Sequence, residues 1–224
     1  SAKKCFILLT DRTVKGGTFG PMESKILRNV IDKCLLERLP LVLFLDSGGV
    51  RLTEGYEALG SFRWMYKSLL KARLKGLTVI SVILNNCFGG ASMIATTSSY
   101  RIAGAKSRLA MTGPKVIAEN NDNCSSKERS IENIISGDAR ARTGIYTLMC
   151  DDSAVEYRNS LRELLFKNIA CKIDLFYNHQ NLGDRLKSQN IQHERCDKLA
   201  PPKLNTGAPA GALKMFSLAR FLIA

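Results

Sequence analysis

The stretch Leu41-Val42-Leu43-Phe44-Leu45-Asp46-Ser47-Gly48-Gly49-Val50-Arg51-Leu52-Thr53-Glu54 decides the fold. An apolar run of strand length meets a glycine pair, and a helical pattern follows. The arrangement returns one unit later in Val79-Ile80-Ser81-Val82-Ile83-Leu84-Asn85-Asn86-Cys87-Phe88-Gly89-Gly90-Ala91-Ser92-Met93. Apolar runs without polar alternation are buried on both faces, as in parallel sheets. A helix start leaves its first backbone N–H groups without partners, and these attract negative charge. Two such turns side by side predict a pair of N–H groups aimed at one oxygen, the arrangement that stabilises an oxyanion. The chemistry this suits is a thioester enolate or a tetrahedral anion.

Working outward, Ile7–Thr10 reads as a strand, and Gly16-Gly17-Thr18-Phe19-Gly20-Pro21 breaks the chain before a helix. Ile26, Leu27, Val30, Ile31, Cys34 and Leu35 recur at helical spacing, and Pro40 marks the way into the strand at Leu41–Leu45. Leu59, Phe62, Trp64, Met65, Leu69, Leu70 and Leu74 predict a long helix with an apolar stripe facing the core, closed by Gly76. Thr78–Leu84 predicts a strand. Gly90–Thr97 predicts a helix that packs closely through Ala91 and Ala95. Tyr100–Ala103 and Arg108–Met111 read as short strands. The alternation implies an α/β fold with largely parallel pairing.

Downstream, Gly113–Arg142 is polar, its Glu119–Glu128 stretch predicts a loop of at least ten residues, and Thr143–Met149 predicts a short strand. Val155, Leu161, Leu164, Leu165, Ile169 and Ile173 predict an amphipathic helix after Asp151-Asp152-Ser153. Asn178–Ala200 is polar, Pro201–Gly211 has linker composition, and Leu213–Ile223 is an apolar-basic helix candidate. The expected division is a domain over 1–167 and a C-terminal extension over 168–224.

A chain of 224 residues with 45% hydrophobic and 24% charged content can bury a full core without staples. No apolar run approaches membrane-spanning length, and Asp11-Arg12 interrupts the N-terminal run too early for a signal peptide. A cytoplasmic protein with no membrane association is the expectation. Seven cysteines without a CxxC pair argue against a zinc ribbon and for reduced thiols, and no metal is expected. Only His179 and His193 are available, which disfavours a Ser-His-Asp triad. The net charge is +13, concentrated in the first half: residues 1–113 carry 17 Lys+Arg against 7 Asp+Glu. Such a surface suits an acidic or phosphate-bearing partner. No nucleic-acid-binding signature accompanies the charge, so nucleic acid is not expected.

The order of these motifs resembles the carboxyltransferase branch of the crotonase superfamily, and within it the beta subunits of biotin-independent malonate decarboxylases. The resemblance is carried by Gly16-Gly17-Thr18-Phe19-Gly20, Asp46-Ser47-Gly48-Gly49-Val50-Arg51-Leu52 with Glu54, Cys87-Phe88-Gly89-Gly90 and Gly113-Pro114-Lys115-Val116-Ile117. A weaker match runs through Asp138–Gly144 into Tyr157–Leu165. It implies a spiral of ββα units and a gamma-type carboxyltransferase subunit as hetero-oligomeric partner. The implied substrate is a malonyl thioester on an acyl carrier protein or CoA. Its pantetheine arm is the only cofactor-like group implied, and none is expected to be tightly bound.

The resemblance further implies that Gly89 and Gly90 are the leading backbone donors, with Gly48 and Gly49 as the companion loop. Ser47, Arg51, Cys87, Phe88, Ser92, Gly113 and Pro114 are the implied substrate-binding residues. For Arg51 the functional role is to hold a phosphate or carboxylate, and the alternative is a salt bridge steadying the turn. For Ser47 and Ser92 the alternative is helix capping. For Cys87 a small buried residue competes with a reactive thiol. Gly90→Val is expected to block the anion site with the fold near intact. Lys115 stands where the family usually has an acidic residue, and residues beyond 167 have no counterpart. The rival activities are carboxyl transfer in a biotin-dependent acyl-CoA carboxylase, carboxyl transfer from a malonyl thioester to a biotin protein, and non-catalytic docking of a carrier protein. No glutamate is placed for an enoyl-CoA hydratase.

Overall fold

A computed structural model describes residues 4–114 and 127–166. The strands are β1 (Phe6–Leu9), β2 (Leu41–Ser47), β3 (Val79–Phe88), β4 (Tyr100–Gly104), β5 (Arg108–Ala110) and β6 (Leu148–Cys150). The helices are α1 (Pro21–Glu37), α2 (Gly55–Leu74), α3 (Gly90–Thr97), α4 (Lys127–Ile135), α5 (Gly137–Arg142) and α6 (Ala154–Phe166). All strand pairs are parallel, in the order β1-β2-β3-β4-β6. β3 is long enough to take two neighbours in succession. Its first half, Ile80–Ile83, pairs with β4, and its last residues, Asn86–Phe88, pair with β5. This is the α/β architecture the alternation implies, in the crotonase-like form.

The apolar run of β2 has no polar alternation because both of its faces are covered. Leu41, Leu43 and Leu45 enter the larger core, with Leu27 and Ile31 of α1, Met65 and Leu69 of α2 and Ile94 of α3. Val42 enters a second core on the opposite face, with Ile80, Val82, Ile102, and Tyr157 and Leu164 of α6. On the edge strand β1 the outer residues Ile7 and Leu9 stay exposed.

Three expectations are corrected. The polar span Gly113–Arg142, in which no helix is expected, contains α4 and α5. Its polar composition hid Ile131 and Ile135, one turn apart and buried beside Phe88 and Ala110. Ser136 starts α5 by accepting a hydrogen bond from the Ala139 N–H at 3.4 Å. The Leu59–Leu74 stripe is only partly core: Phe62, Met65 and Leu69 are buried, whereas Trp64, Leu70 and Leu74 face solvent. The strand predicted over Thr78–Leu84 continues to Phe88, past a register shift. The Glu119–Glu128 stretch through residue 126, the helical pattern past Phe166, the 168–224 extension and the Leu213–Ile223 helix lie outside the described residues.

Candidate active site

The two glycine turns lie side by side at the C-terminal ends of β2 and β3. That proximity follows from the pairing of the strands, because Ser47 stands opposite Cys87. Between Leu45–Ile83 and Ser47–Cys87 the register shifts, so β3 is longer than β2 across this step. The Asp46 carboxylate fills the resulting bulge. It accepts from the Asn85 side-chain amide at 2.7 Å and from the Asn86 backbone N–H at 3.1 Å. Arg12 stands 3.6 Å from the same carboxylate. Asp46 therefore ties the strand before the first turn to the strand before the second, a role its sequence context did not announce.

Gly49 and Gly89 are both held at positive φ, +103° and +53°. A side chain at Gly49 would put its Cβ 2.8 Å from the Phe88 carbonyl oxygen and 3.2 Å from the Gly90 nitrogen. Glycine is required by backbone conformation and by close approach at once.

The hydrogen bonds of the turns separate structural donors from available ones. The Gly89 N–H lies between the Ala110 and Met111 carbonyls at 3.2 and 3.1 Å. Gly48 donates to the Gly16 carbonyl at 3.2 Å, and Gly49 donates to Ser47 Oγ at 3.1 Å. These three N–H groups are already engaged, which corrects the expectation that Gly89 is a leading donor. The N–H groups of Gly90, Ala91 and Ser92 form the first turn of α3 and have no acceptor among the described residues. Helix geometry leaves them so, and the helix dipole adds positive potential at the same place.

The other predicted residues sort by their contacts. Arg51 is 7% exposed, and its guanidinium is saturated. Nε donates to Thr18 Oγ1, Nη1 to Glu23 Oε2 and Glu54 Oε1, and Nη2 to the Thr18 carbonyl and Glu23 Oε1. With no N–H left for a phosphate, Arg51 steadies the turn. Its carboxylate hydrogen bonds hold the guanidinium pKa above its ordinary value. Ser47 is buried and shapes the first turn through its bond to Gly49. Ser92 donates its hydroxyl to the Gly89 carbonyl at 2.7 Å, bracing the second turn rather than capping the helix by accepting.

Cys87 is fully buried, and desolvation together with the nearby Asp46 charge drives its thiol pKa upward, away from nucleophile chemistry. Phe88 packs with Ala110, Ile131 and Ile135 and walls the second turn. A Cβ on Gly113 would meet only open space, and Pro114 is the last residue before the undescribed stretch that holds Lys115, Val116 and Ile117.

Of the four turn glycines, Gly48 is exposed and Gly89 half-buried, whereas Gly49 and Gly90 are buried. A cavity of about 850 Å³ lies at the opposite, N-terminal end of the strands, lined by Arg38, Pro40, Lys75 and Tyr100 among others, away from both turns. Among the described residues no cluster of His, Cys, Asp and Glu has the makings of a metal site, and no helix is long and apolar enough to cross a membrane.

Comparison with known proteins matches this geometry to a family. The 12S subunit of methylmalonyl-CoA carboxyltransferase from Propionibacterium freudenreichii subsp. shermanii is 34% identical over 108 residues, covering 48% of this chain and 20% of that subunit. The propionyl-CoA carboxylase beta chain of Rhodococcus erythropolis is 36% identical over 109 residues, covering 48% of this chain and 22% of that one. The match thus takes in about a fifth of the length of these relatives. Among solved structures, a Pseudomonas malonate decarboxylase hetero-tetramer in complex with malonate superposes with a TM-score of 0.67 at 23% identity, covering 88% of this chain and 72% of that one. The transcarboxylase 12S structure with hydrolysed methylmalonyl-coenzyme A bound gives 0.55 at 27% identity, covering 65% and 28%. The family model for the carboxyl transferase domain matches residues 2–144, more than half of the chain, and the chain belongs to that family.

Proposed function

We propose that this chain is one half of a malonyl-thioester decarboxylase, a beta-type subunit that works without biotin. The observation that carries the reading is the set of N–H groups of Gly90, Ala91 and Ser92, which have no acceptor among the described residues and are set against the Gly48-Gly49 turn. Loss of CO₂ from a malonyl thioester moves an electron pair onto the thioester oxygen as an enolate. Donors fixed at that position stabilise the developing charge more than the neutral carbonyl, which is the condition for rate acceleration. One lost donor in such a site costs about 3–4 kcal/mol of transition-state stabilisation. The step needs no side-chain nucleophile and no tightly bound cofactor, because the thioester itself stabilises the carbanion. The substrate brings its own pantetheine arm, from an acyl carrier protein or from CoA. The exposed Gly48 beside the half-buried Gly89 fits a site that a gamma-type partner subunit completes.

A second reading is carboxyl transfer involving a biotin protein. It is favoured by the 12S carboxyltransferase subunit and the propionyl-CoA carboxylase beta chain among the relatives. The enolate step is common to both readings, and only the fate of the carboxyl group differs. The test is mass spectrometry of malonyl-CoA and malonyl-carrier protein incubated with this chain and a gamma-type partner, with and without a biotin protein. Biotin-independent appearance of the acetyl thioester and CO₂ supports the first reading. Carboxyl accumulating on biotin moves the protein to the second. Absence of turnover with every combination, alongside retained carrier binding, makes it a docking subunit.

A further inference from the structure

The exposed face of α2 is a line of cations interleaved with large apolar side chains. Arg63, Lys67 and Lys71 of α2 and Lys75, which caps its C-terminal end, recur every fourth residue, about 6 Å apart along the axis. Tyr56, Trp64 and Leu74 share that side of the helix and are 91%, 60% and 66% exposed. None of the four cations forms an ion pair among the described residues, although salt bridges do form elsewhere. The lack of pairing begins in the sequence: no Asp or Glu occurs from residue 58 through residue 113. Like charges one turn apart on a helix destabilise it, so the ridge carries a cost that folding alone does not require.

We propose that this ridge docks an acidic helix of the protein that carries the substrate thioester, an inference that rests on the decarboxylase reading above. A helix bearing acids every third or fourth residue presents carboxylates at the spacing of the cations, so the two pair turn by turn. Tyr56, Trp64 and Leu74 supply the desolvated anchors that protein interfaces favour, and Arg63 is of the same class. A nucleic-acid strand fits this face less well. It leaves Leu74 without a partner, and the Trp64 ring already has Lys67 Nζ 5.2 Å from its centroid. A bilayer fits less well too, because its insertion needs apolar groups gathered along one side, whereas here they alternate with cations.

The position suits delivery. α2 begins at Gly55, just after the Arg51–Glu54 turn that follows Gly49, and the ridge starts about 12 Å further along the helix. A flexible pantetheine arm is the kind of group that crosses such a gap from a docked carrier to the glycine turns.

The experiment uses the full chain with its gamma-type partner and a purified, fluorescently labelled holo-acyl carrier protein, followed by anisotropy. The variant carries Arg63→Glu, Lys67→Glu, Lys71→Glu and Lys75→Glu, and a milder version carries Gln at the same positions. The expected result is binding that weakens by at least about tenfold between low and moderate salt and by at least about tenfold in the Glu variant, with the Gln variant between. Turnover of free malonyl-CoA, which bypasses the dock, stays at the wild-type level in both variants. Equal carrier binding by wild type and Glu variant overturns the inference and leaves the decarboxylase reading standing. Absence of malonyl-CoA turnover in every form, with carrier binding still lost in the Glu variant, overturns the decarboxylase reading and supports the dock. Tighter binding to a single-stranded RNA oligonucleotide or to phosphatidylserine vesicles, abolished by the same substitutions, overturns the choice of partner.

Discussion

Gly49 and Gly89 meet backbone to backbone: a Cβ built on Gly49 would lie 3.3 Å from the Gly89 Cα. This contact holds the two turns at one place and leaves no room for a side chain at position 49. Gly49→Ala therefore combines an unfavourable φ of +103° with overlap against the Phe88 carbonyl. The expected loss is about 1–3 kcal/mol from overpacking alone, with turnover falling further because the second turn is displaced. Urea denaturation measures the first effect, and an unshifted midpoint would mean that the turns do not touch.

Gly90→Val is not the clean active-site probe that the sequence suggested. Even the first added carbon would sit 2.6 Å from the Phe62 ring and 2.8 Å from a Val50 methyl. The predicted outcome is a stability loss of about 1–3 kcal/mol together with lost activity. Shortening Phe62 to Leu in the same chain should return part of the stability and none of the activity. Recovery of both in the double variant would show that Gly90 acts only through packing.

Arg51→Ala should destabilise the fold by about 1.5–3 kcal/mol, because two carboxylates lose charge-assisted hydrogen bonds inside the turn. Thermal unfolding reads this directly. The same network predicts an acid limb. Burial raises the Glu23 pKa, but the Arg51 hydrogen bond and the Gly20 N–H outweigh it and bring it below the ordinary value. Glu54 is lowered chiefly by hydrogen bonds from Arg51 and then Lys15. Groups with lowered folded pKa values stabilise the protein above their unfolded values, and that contribution disappears as the pH falls through the folded ones. Melting temperature should hold near neutrality and drop below about pH 4.3, and the drop should be shallower in Arg51→Ala. A wild-type and variant pair with identical acid slopes would remove Arg51 from this role.

Thiol labelling distinguishes the buried cysteines from the accessible ones. Cys34 and Cys87 are fully buried, and burial pushes the Cys34 thiol up to about 11. Cys5 and Cys150 are half-buried. A maleimide applied to the native protein should modify Cys5 and Cys150 before Cys34 or Cys87, and all four once denatured. Fast native modification of Cys87, located by peptide mass mapping, would restore it as a candidate reactive thiol.

Much of the architecture was legible because β2 and β3 carry their environment in their own residues. An unbroken apolar run is stable only where both faces are covered, and a glycine pair after it permits the turn. The polar stretch before Arg142 misled because two buried isoleucines among charged residues are too sparse a signal, and the partners of Ile131 and Ile135, Phe88 and Ala110, lie distant in the chain. The half-exposed stripe of α2 misled for the opposite reason. Trp64 and Leu74 match the helical period, but only the packing of α2 decides which flank of a wide apolar face meets the core.

The candidate site divides along the same line. Residue order alone determined that two strand-glycine-helix units follow one another, that Gly48, Gly49, Gly89 and Gly90 stand at their turns, and that the excess of basic residues falls in the first half of the chain. The tertiary structure decided which N–H groups remain available. Gly48 gives its hydrogen to Gly16, and Gly89 gives its own to Ala110 and Met111, segments distant in the chain that the parallel sheet brings alongside. It also decided that Arg51 belongs to Glu23 and Glu54 and that Asp46 closes the bulge under the second turn. Local sequence encodes backbone conformation, since φ and ψ depend on near neighbours. The partner of each polar group depends on what the fold places within about 3 Å, and only the assembled sheet supplies that.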